Sequence, residues 1–206
     1  MVKSKKYILS FTAASLRLNE MIKVALAITN SEFNNLRELQ SSGIVFGSVK
    51  TRSTDREFRE IKQRISKLTP EQLDVFAHGD YISQKQMAFL SVCKHYDFIK
   101  DFTIEIIREK TLVFNYQINE SDINAFITSK SSIHPELEEY SNTTLKKGIQ
   151  VMFRILEQAG IINNAMEKII QPQIIQPDVI KSILIDDPQW LKIYLLPDND
   201  IKQLRH

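Results

Sequence analysis

The chain has 206 residues, of which 43% are hydrophobic and 25% are charged, as in a globular protein of one compact unit or two small domains. Its single cysteine, Cys93, excludes an intramolecular disulfide framework and fits a reducing compartment. No segment approaches the roughly 20 apolar residues of a membrane span, and the first residues lack the pattern of a signal peptide. We therefore expect a soluble, cytoplasmic protein that does not bind membranes.

Charge is distributed unevenly along the chain. Residues 1–68 contain 13 Lys and Arg against 6 Asp and Glu, a net charge of +7. Residues 69–206 contain 14 against 19, a net charge of −5. Such asymmetry indicates a polyanionic partner for the first third of the chain. The alternative is an ordinary fluctuation of charge along a sequence.

Hydrophobic residues recur at helical spacing through the first two thirds of the chain. We expect helices over residues 12–28, 31–40, about Thr54 to Lys67, Thr69 to about His78, 83–96 and 97–110. Thr54 and Glu57 fit a capping box, and so do Thr69 and Gln72, with Pro70 at the first helical position. Leu112 to Gln117 alternates in hydrophobicity, which fits a short strand or a connector.

The last third has shorter elements. Short helices are expected after Asn119 and at Pro135, followed by a long helix from Thr143 to Ala159 that ends at Gly160. Two isoleucine pairs, 161–162 and 169–170, flank a polar segment and predict a small β-hairpin. This order is typical of a winged helix-turn-helix.

The expected fold is therefore mainly α and multi-helical. It comprises an N-terminal helix-turn-helix-like unit (1–68), central helices (69–118) and a C-terminal winged-helix-like unit with a small β-hairpin (119–206).

The motifs that usually carry catalysis are not found. The four histidines lack metal-ligand spacing, one cysteine cannot form a thiolate cage, and no phosphate-binding glycine loop or nucleophile elbow occurs. Glu136, Glu138 and Glu139 are interpreted as solvated ends of short helices. We expect no enzymatic activity, cofactor or metal, although an active site assembled from distant residues stays an alternative.

The third helix offers the first candidate DNA-binding surface. In a trihelical unit the N-terminal end of this helix can enter the major groove, where helix amides also favour phosphate oxygens. Arg59 follows Arg56 at i+3 and shares its face. The predicted contacts are Lys50, Thr51, Arg52, Ser53, Arg56 and Arg59. The alternative is an amphipathic surface helix in which Glu57 and Glu60 pair with these arginines.

The long helix offers a second candidate surface. With its apolar residues turned inward, Lys146, Lys147 and Gln150 remain outside near its start, as on a recognition helix. The alternative is a protein-docking module, since the same topology serves that purpose and the neighbouring sequence is acidic.

Many short sequences in the chain together resemble the BrxA family, the small subunits of BREX bacteriophage-resistance systems. They are Leu9–Ala13, Thr51–Ser53, Phe58–Glu60, Leu68–Leu73, Val92–Lys94 with Tyr96, Phe98–Ile99, Arg108–Lys110, His134–Leu137 and Ala159–Ile162. The resemblance implies a cytoplasmic, helical protein that binds DNA beside other BREX components and has no catalytic motif. It also implies a likeness to an RNA-binding antitermination factor, which keeps RNA as an alternative.

The resulting hypothesis is a non-enzymatic DNA-binding accessory protein that contacts mainly backbone phosphates of double-stranded DNA with low sequence specificity. A protein–protein scaffold, suggested by the weakly charged stretch from Ile169 to Leu184, is the competing hypothesis.

Overall fold

The computed structural model of the chain describes residues 6–31, 36–47 and 51–204, and it is mainly helical, as the sequence predicts. The α-helices within these ranges are α1 (Leu18–Thr29), α2 (Leu36–Ser41), α3 (Arg52–Ile65), α4 (Pro70–His78), α5 (Tyr81–His95), α6 (Asp97–Phe102), α7 (Glu109–Leu112), α8 (Glu120–Ser131), α9 (Glu136–Glu139), α10 (Asn142–Ala159), α11 (Pro177–Asp186) and α12 (Asp198–Gln203). Short 3₁₀ helices cover Ser10–Ala13 and Pro188–Tyr194, and a π-helical segment, Thr103–Arg108, joins α6 to α7.

The chain forms two compact units. One unit, here called the α3 unit, consists of Leu16–His95 and Ile175–Pro188. The other, the α10 unit, consists of the chain up to Ser15, Tyr96–Ile174 and the chain from Gln189. These units do not coincide with the predicted segments 1–68, 69–118 and 119–206, because contacts between residues distant in sequence define them.

The α3 unit packs α1, α3, α4, α5 and α11 around one core. Phe58, Ile61 and Ile65 recur at helical spacing on α3 and are buried, as the periodicity predicts. The predicted capping box of α4 is confirmed, since Thr69 and Gln72 each accept a backbone hydrogen bond from the other. Polar contacts secure α11 in this unit.

The α10 unit has an aromatic core. The Phe102 ring lies 5.2 Å from Phe126 and 5.7 Å from Phe153, both edge to face. Tyr7 stacks on His134 at 3.7 Å, and its hydroxyl donates to Asp101 at 2.6 Å. Burial, together with that carboxylate, raises the pKa of the Tyr7 phenol above its ordinary value. A neutral Tyr7 phenol therefore links the N-terminal segment around Tyr7 to the rest of this unit.

The predicted β-hairpin after α10 is not confirmed. Ile162 and Ile170 meet in one isolated antiparallel bridge, and the described residues contain no longer ladder at this place. Two ladder-type bonds flank this bridge, from the N–H of Asn163 to Ile169 O and from the N–H of Gln171 to Ile161 O, but other backbone donors of the loop bind its own side chains. Asn163 Oδ1 accepts from the N–H of Ile169 at 3.0 Å, and Asn164 Oδ1 accepts from two further loop N–H groups.

The end of α7 lies where the sequence predicts extended chain. The N–H of Phe114 donates to Thr111 O at 3.0 Å, and the N–H of Asn115 donates to Lys110 O at 2.9 Å. These two bonds form a Schellman motif, whose C′ residue adopts the left-handed conformation that usually requires glycine. Phe114 occupies this position with φ 57°, and its side chain is 81% exposed.

Candidate nucleic-acid interface

Three of the five basic side chains of α3 lie in one exposed stripe, whereas Arg64 is buried. Arg52, Arg56, Arg59 and Gln63 follow one another at i, i+4, i+7 and i+11, and all four are exposed. The buried apolar residues of α3 occupy the opposite side of the helix and fix its orientation. We call Arg52, Arg56 and Arg59 the arginine stripe.

Two of the three carboxylates of α3 turn toward the core, while the third, Asp55, is exposed and accepts a hydrogen bond from Gln40. Glu57 and Glu60 are both buried. Glu57 is bound by Arg17, whose Nη2 lies 2.6 Å from Glu57 Oε2. None of the three stripe guanidinium groups forms an ion pair or hydrogen bond with any residue that the structure describes. The positive charge of the stripe is therefore directed at solvent.

The remaining predicted contacts of the first surface, Lys50, Thr51 and Ser53, lie at or before the start of α3. The helix begins two residues earlier than predicted, because Thr51 is the N-cap and forms a reciprocal capping box with Thr54. Ser53 lies in the first turn, and its hydroxyl donates to Glu57 Oε1 at 3.3 Å. Lys50 lies outside the described residues. Thr51 and Ser53 are exposed, so their side chains lie beside the stripe at the N-terminal end of the helix.

The second candidate surface lies on α10, in the other unit. Ser141 caps the helix by accepting from the N–H of Thr144 at 3.2 Å. Lys146, Lys147 and Gln150 are exposed, as the periodicity predicts. Arg154, which the sequence analysis did not select, continues the face of Lys147 and Gln150 at i+7 from Lys147. The helical period alone could have identified it.

The acidic segment before α10 differs from its predicted role in one residue. Glu138 and Glu139 are exposed, but Glu136 is buried and accepts from the backbone N–H of Tyr7 at 2.6 Å and from His134 Nδ1 at 3.0 Å. Burial alone would raise the pKa of Glu136, yet these hydrogen bonds outweigh it and lower that pKa. The interpretation of Glu136 as a solvated helix end is wrong, because it holds the start of the chain.

A cleft beside the arginine stripe was not predicted. It has a volume of about 370 Å³ and lies between α2 and α3, where Arg37, Arg59 and Lys62 share its wall with Asp55. Arg59 therefore belongs both to the stripe and to the cleft. In the sequence, the only sign of this cleft is Lys62, which follows Arg59 by three residues. The cleft itself could not be predicted, because it depends on how α2 packs against α3.

Two further properties concern the described residues only. They contain no group of three or more His, Cys, Asp or Glu side chains arranged to hold a metal ion. None of their helices has the length and apolar character needed to cross a bilayer.

Comparison with known proteins identifies the family. A sequence profile described as BrxA matches residues 5–185 of this chain. The chain belongs to the BrxA family. The assignment agrees with the resemblance found in the sequence and places the protein among the components of BREX phage-defence systems.

Two relatives carry the BrxA name. The BREX protein BrxA of Bacillus cereus strain H3081.97 is 26% identical over 187 residues, which cover 89% of this chain and 92% of the relative. The BREX protein BrxA of Escherichia coli O9:H4 strain HS is 23% identical over 118 residues, which cover 57% of this chain and 55% of the relative. The second match thus spans little more than half of the Escherichia coli BrxA.

The fold also has a solved counterpart. The crystal structure of an uncharacterized protein from Magnetospirillum magneticum superposes with a TM-score of 0.78, covering 93% of this chain and 98% of that protein. The two sequences are 18% identical. This likeness supports the fold alone.

Proposed function

We propose that this chain is a non-enzymatic, DNA-binding accessory protein of a BREX system, which holds duplex DNA through backbone phosphates with low sequence specificity. The observation that carries the proposal is the arginine stripe, which projects three guanidinium groups from one helix face while Glu57 and Glu60 of the same helix are buried. Guanidinium groups bind phosphate oxygens in bidentate geometry and stay charged at every physiological pH.

Low specificity follows from the chemistry of the two surfaces. Base reading in the major groove depends mainly on arginine at guanine or on amides at adenine, held in fixed positions. The arginines of the stripe have no supporting hydrogen bonds within the described residues, so their side chains are not preorganised for one base edge. Lys146 and Lys147 add positive charge on α10 without fixed direction. Contacts of this kind position a duplex and carry little sequence information.

A salt titration tests the proposal. If the three stripe arginines and Lys146 and Lys147 each neutralise one phosphate, log K should fall with log salt at a slope of about −4.5. Two 30-base-pair duplexes of unrelated sequence should bind within about threefold of each other. The measurement is fluorescence anisotropy at several salt concentrations, with duplex RNA of equal length in parallel. Absence of DNA binding at low salt would refute the proposal. A tenfold preference for duplex RNA would mean that RNA, and not DNA, is the ligand.

A second function, the docking of another BREX component, is favoured by Phe114. A non-glycine residue in the left-handed conformation costs about 1–2 kcal/mol, and Phe114 bears this cost while exposing its ring to solvent. Val113 beside it is also largely exposed, so the end of α7 presents an apolar surface. Glycine would satisfy this turn, so the exposed ring at this position supports a docking role for Phe114.

Replacing Phe114 with glycine separates docking from folding. The variant should be as stable as the original chain or more stable by about 1 kcal/mol, because glycine relieves the left-handed strain. Co-purification of the other proteins of the same BREX gene cluster, co-expressed and treated with nuclease, should be lost. Ile133→Ser, which changes another exposed apolar residue of the same unit, is the control and should retain the partner. Unchanged partner recovery with Phe114→Gly would exclude this surface.

A further inference from the structure

The cleft between α2 and α3 combines positive charge with an apolar floor. Arg59 and Lys62 reach it from successive turns of α3, and Arg37 faces them from α2. Phe58, which is buried, and Leu36 form the apolar part of its wall. A concave site with a low-dielectric wall strengthens the field of its charges, so an anion is attracted more strongly here than on the open stripe.

One carboxylate lies in the cleft, and it is already engaged. Asp55 Oδ1 accepts from Gln40 Nε2 at 2.7 Å, which fixes the orientation of both side chains. Arg59 and Lys62 of α3 therefore face one hydrogen-bonded carboxylate. Lys62 and Arg59 form no ion pair with any residue that the structure describes.

The size of the cleft, together with its cationic part and its apolar part, indicates one class of ligand. Its volume of about 370 Å³ lies within the range of small-molecule sites. A phosphate group would bind the cations, and an attached nucleoside would cover Leu36 and the small part of Phe58 that remains exposed. We infer that this cleft binds a phosphate group carried on a nucleoside, with Arg59 and Lys62 donating hydrogen bonds to the phosphate oxygens. The inference deepens the proposed function if the phosphate belongs to DNA, and stands apart from it if the ligand is a free nucleotide.

Lys62 allows the cleft to be tested apart from the arginine stripe, of which it is not a part. Lys62→Gln should weaken binding of adenosine 5′-monophosphate about tenfold, the loss expected for one charge-assisted hydrogen bond. Adenosine itself should bind at least tenfold more weakly than the monophosphate to the unaltered chain. Lys67→Gln is the matched control, since Lys67 is exposed and follows the same helix outside the cleft. The measurement is titration calorimetry on the full chain.

Asp55 supplies a test in the opposite direction. Asp55→Asn keeps a side-chain oxygen that can accept from Gln40 and removes the one carboxylate of the cleft. Affinity for the monophosphate should therefore rise about fivefold or more, a gain that misfolding cannot produce. If neither Lys62→Gln nor Asp55→Asn changes monophosphate affinity, or if the unaltered chain binds none at millimolar concentration, the inference is overturned.

Three DNA substrates identify the source of the phosphate. If internal phosphates enter the cleft, Lys62→Gln should weaken binding to a covalently closed circular duplex and reduce its salt slope by about one unit. If a strand end enters, the variant should affect only a linear duplex with 5′-phosphates and not one with 5′-hydroxyl ends. If a free nucleotide is the ligand, no duplex should respond to the substitution. Failure of the unaltered chain to bind any duplex refutes the proposed function, whereas normal duplex binding without monophosphate binding refutes the cleft.

Discussion

Replacement of Arg52, Arg56 and Arg59 together by alanine should weaken binding to duplex DNA roughly 500-fold at 0.1 M salt. Each phosphate contact contributes about 0.9 to the slope of log K against log salt, so three lost contacts flatten the slope by about 2.7 units. At 1 M salt such contacts contribute little to affinity. A slope difference of about 2.7 over the tenfold range from 1 M down to 0.1 M salt therefore gives a loss of roughly 500-fold. Anisotropy titrations of both proteins over a salt series measure the affinity and the slope together.

The control for the arginine stripe must remove equal charge elsewhere. Lys23, Lys181 and Lys202 are exposed and lie outside both candidate surfaces, so their joint replacement by alanine lowers the net charge by the same three units. This control should lose less than tenfold in affinity, since it removes no direct contact. Equal losses in the two triple variants would mean that net charge, and not the stripe, determines DNA binding. The free energy of unfolding should change little in either, because the substituted side chains are exposed.

The arginine stripe was predictable because helical periodicity is a local property. Once Phe58, Ile61 and Ile65 are turned to the core, the spacing of the three arginines places them together on the far side. What the sequence left open is the direction of Glu57 and Glu60, which could equally have paired with the stripe. Arg17, forty residues earlier, binds Glu57 inside the unit, and such a distant partner cannot be read from spacing.

The larger differences between the predicted and the observed elements arise where backbone groups bind nearby side chains. The isoleucine pairs around 161–170 have the hydrophobic pattern of a hairpin, but Asn163 and Asn164 take up the loop's backbone donors instead. Thr51, and not Thr54, is the cap of α3. The Thr51 hydroxyl accepts from the N–H of Thr54, and the Thr54 hydroxyl accepts from the N–H of Thr51. In both places the sequence allows two local hydrogen-bonding arrangements, and hydrophobic spacing does not distinguish them.

The cleft and the role of Glu136 depend on pairs of segments far apart in the chain. Glu136 meets the backbone of Tyr7 across 129 residues, and no periodicity links the two. The cleft requires α2 to lie against α3, and α2 is a single short helix with few apolar residues. Composition and spacing identify which residues can contribute charge, whereas concavity arises only when the helices are assembled.

Replacement of Phe102 by alanine should lower the free energy of unfolding of the α10 unit by about 4 kcal/mol. Phe102 is 0% exposed, and its ring joins α6 to Phe126 of α8 and Phe153 of α10. Its removal leaves a cavity and breaks two edge-to-face contacts, each of which contributes about 0.5–1.5 kcal/mol. The melting temperature should fall by roughly 8–16 °C for a chain of this length. Trp190 is the only tryptophan and lies in the same unit, so its fluorescence during urea unfolding reports the change.

Phe114→Ala is the matched control, because it is the same chemical change in the same unit at a residue that is 81% exposed. Its unfolding free energy should stay within about 0.5 kcal/mol of the original value, since no buried contact is lost. The pair also tests the second candidate surface, because Phe153 belongs to the helix that carries Lys146 and Lys147. Loosening α10 through Phe102 should reduce the contribution of those lysines to the salt slope, while Phe114→Ala should leave it unchanged. Equal destabilisation by the two substitutions would contradict the aromatic core described for this unit.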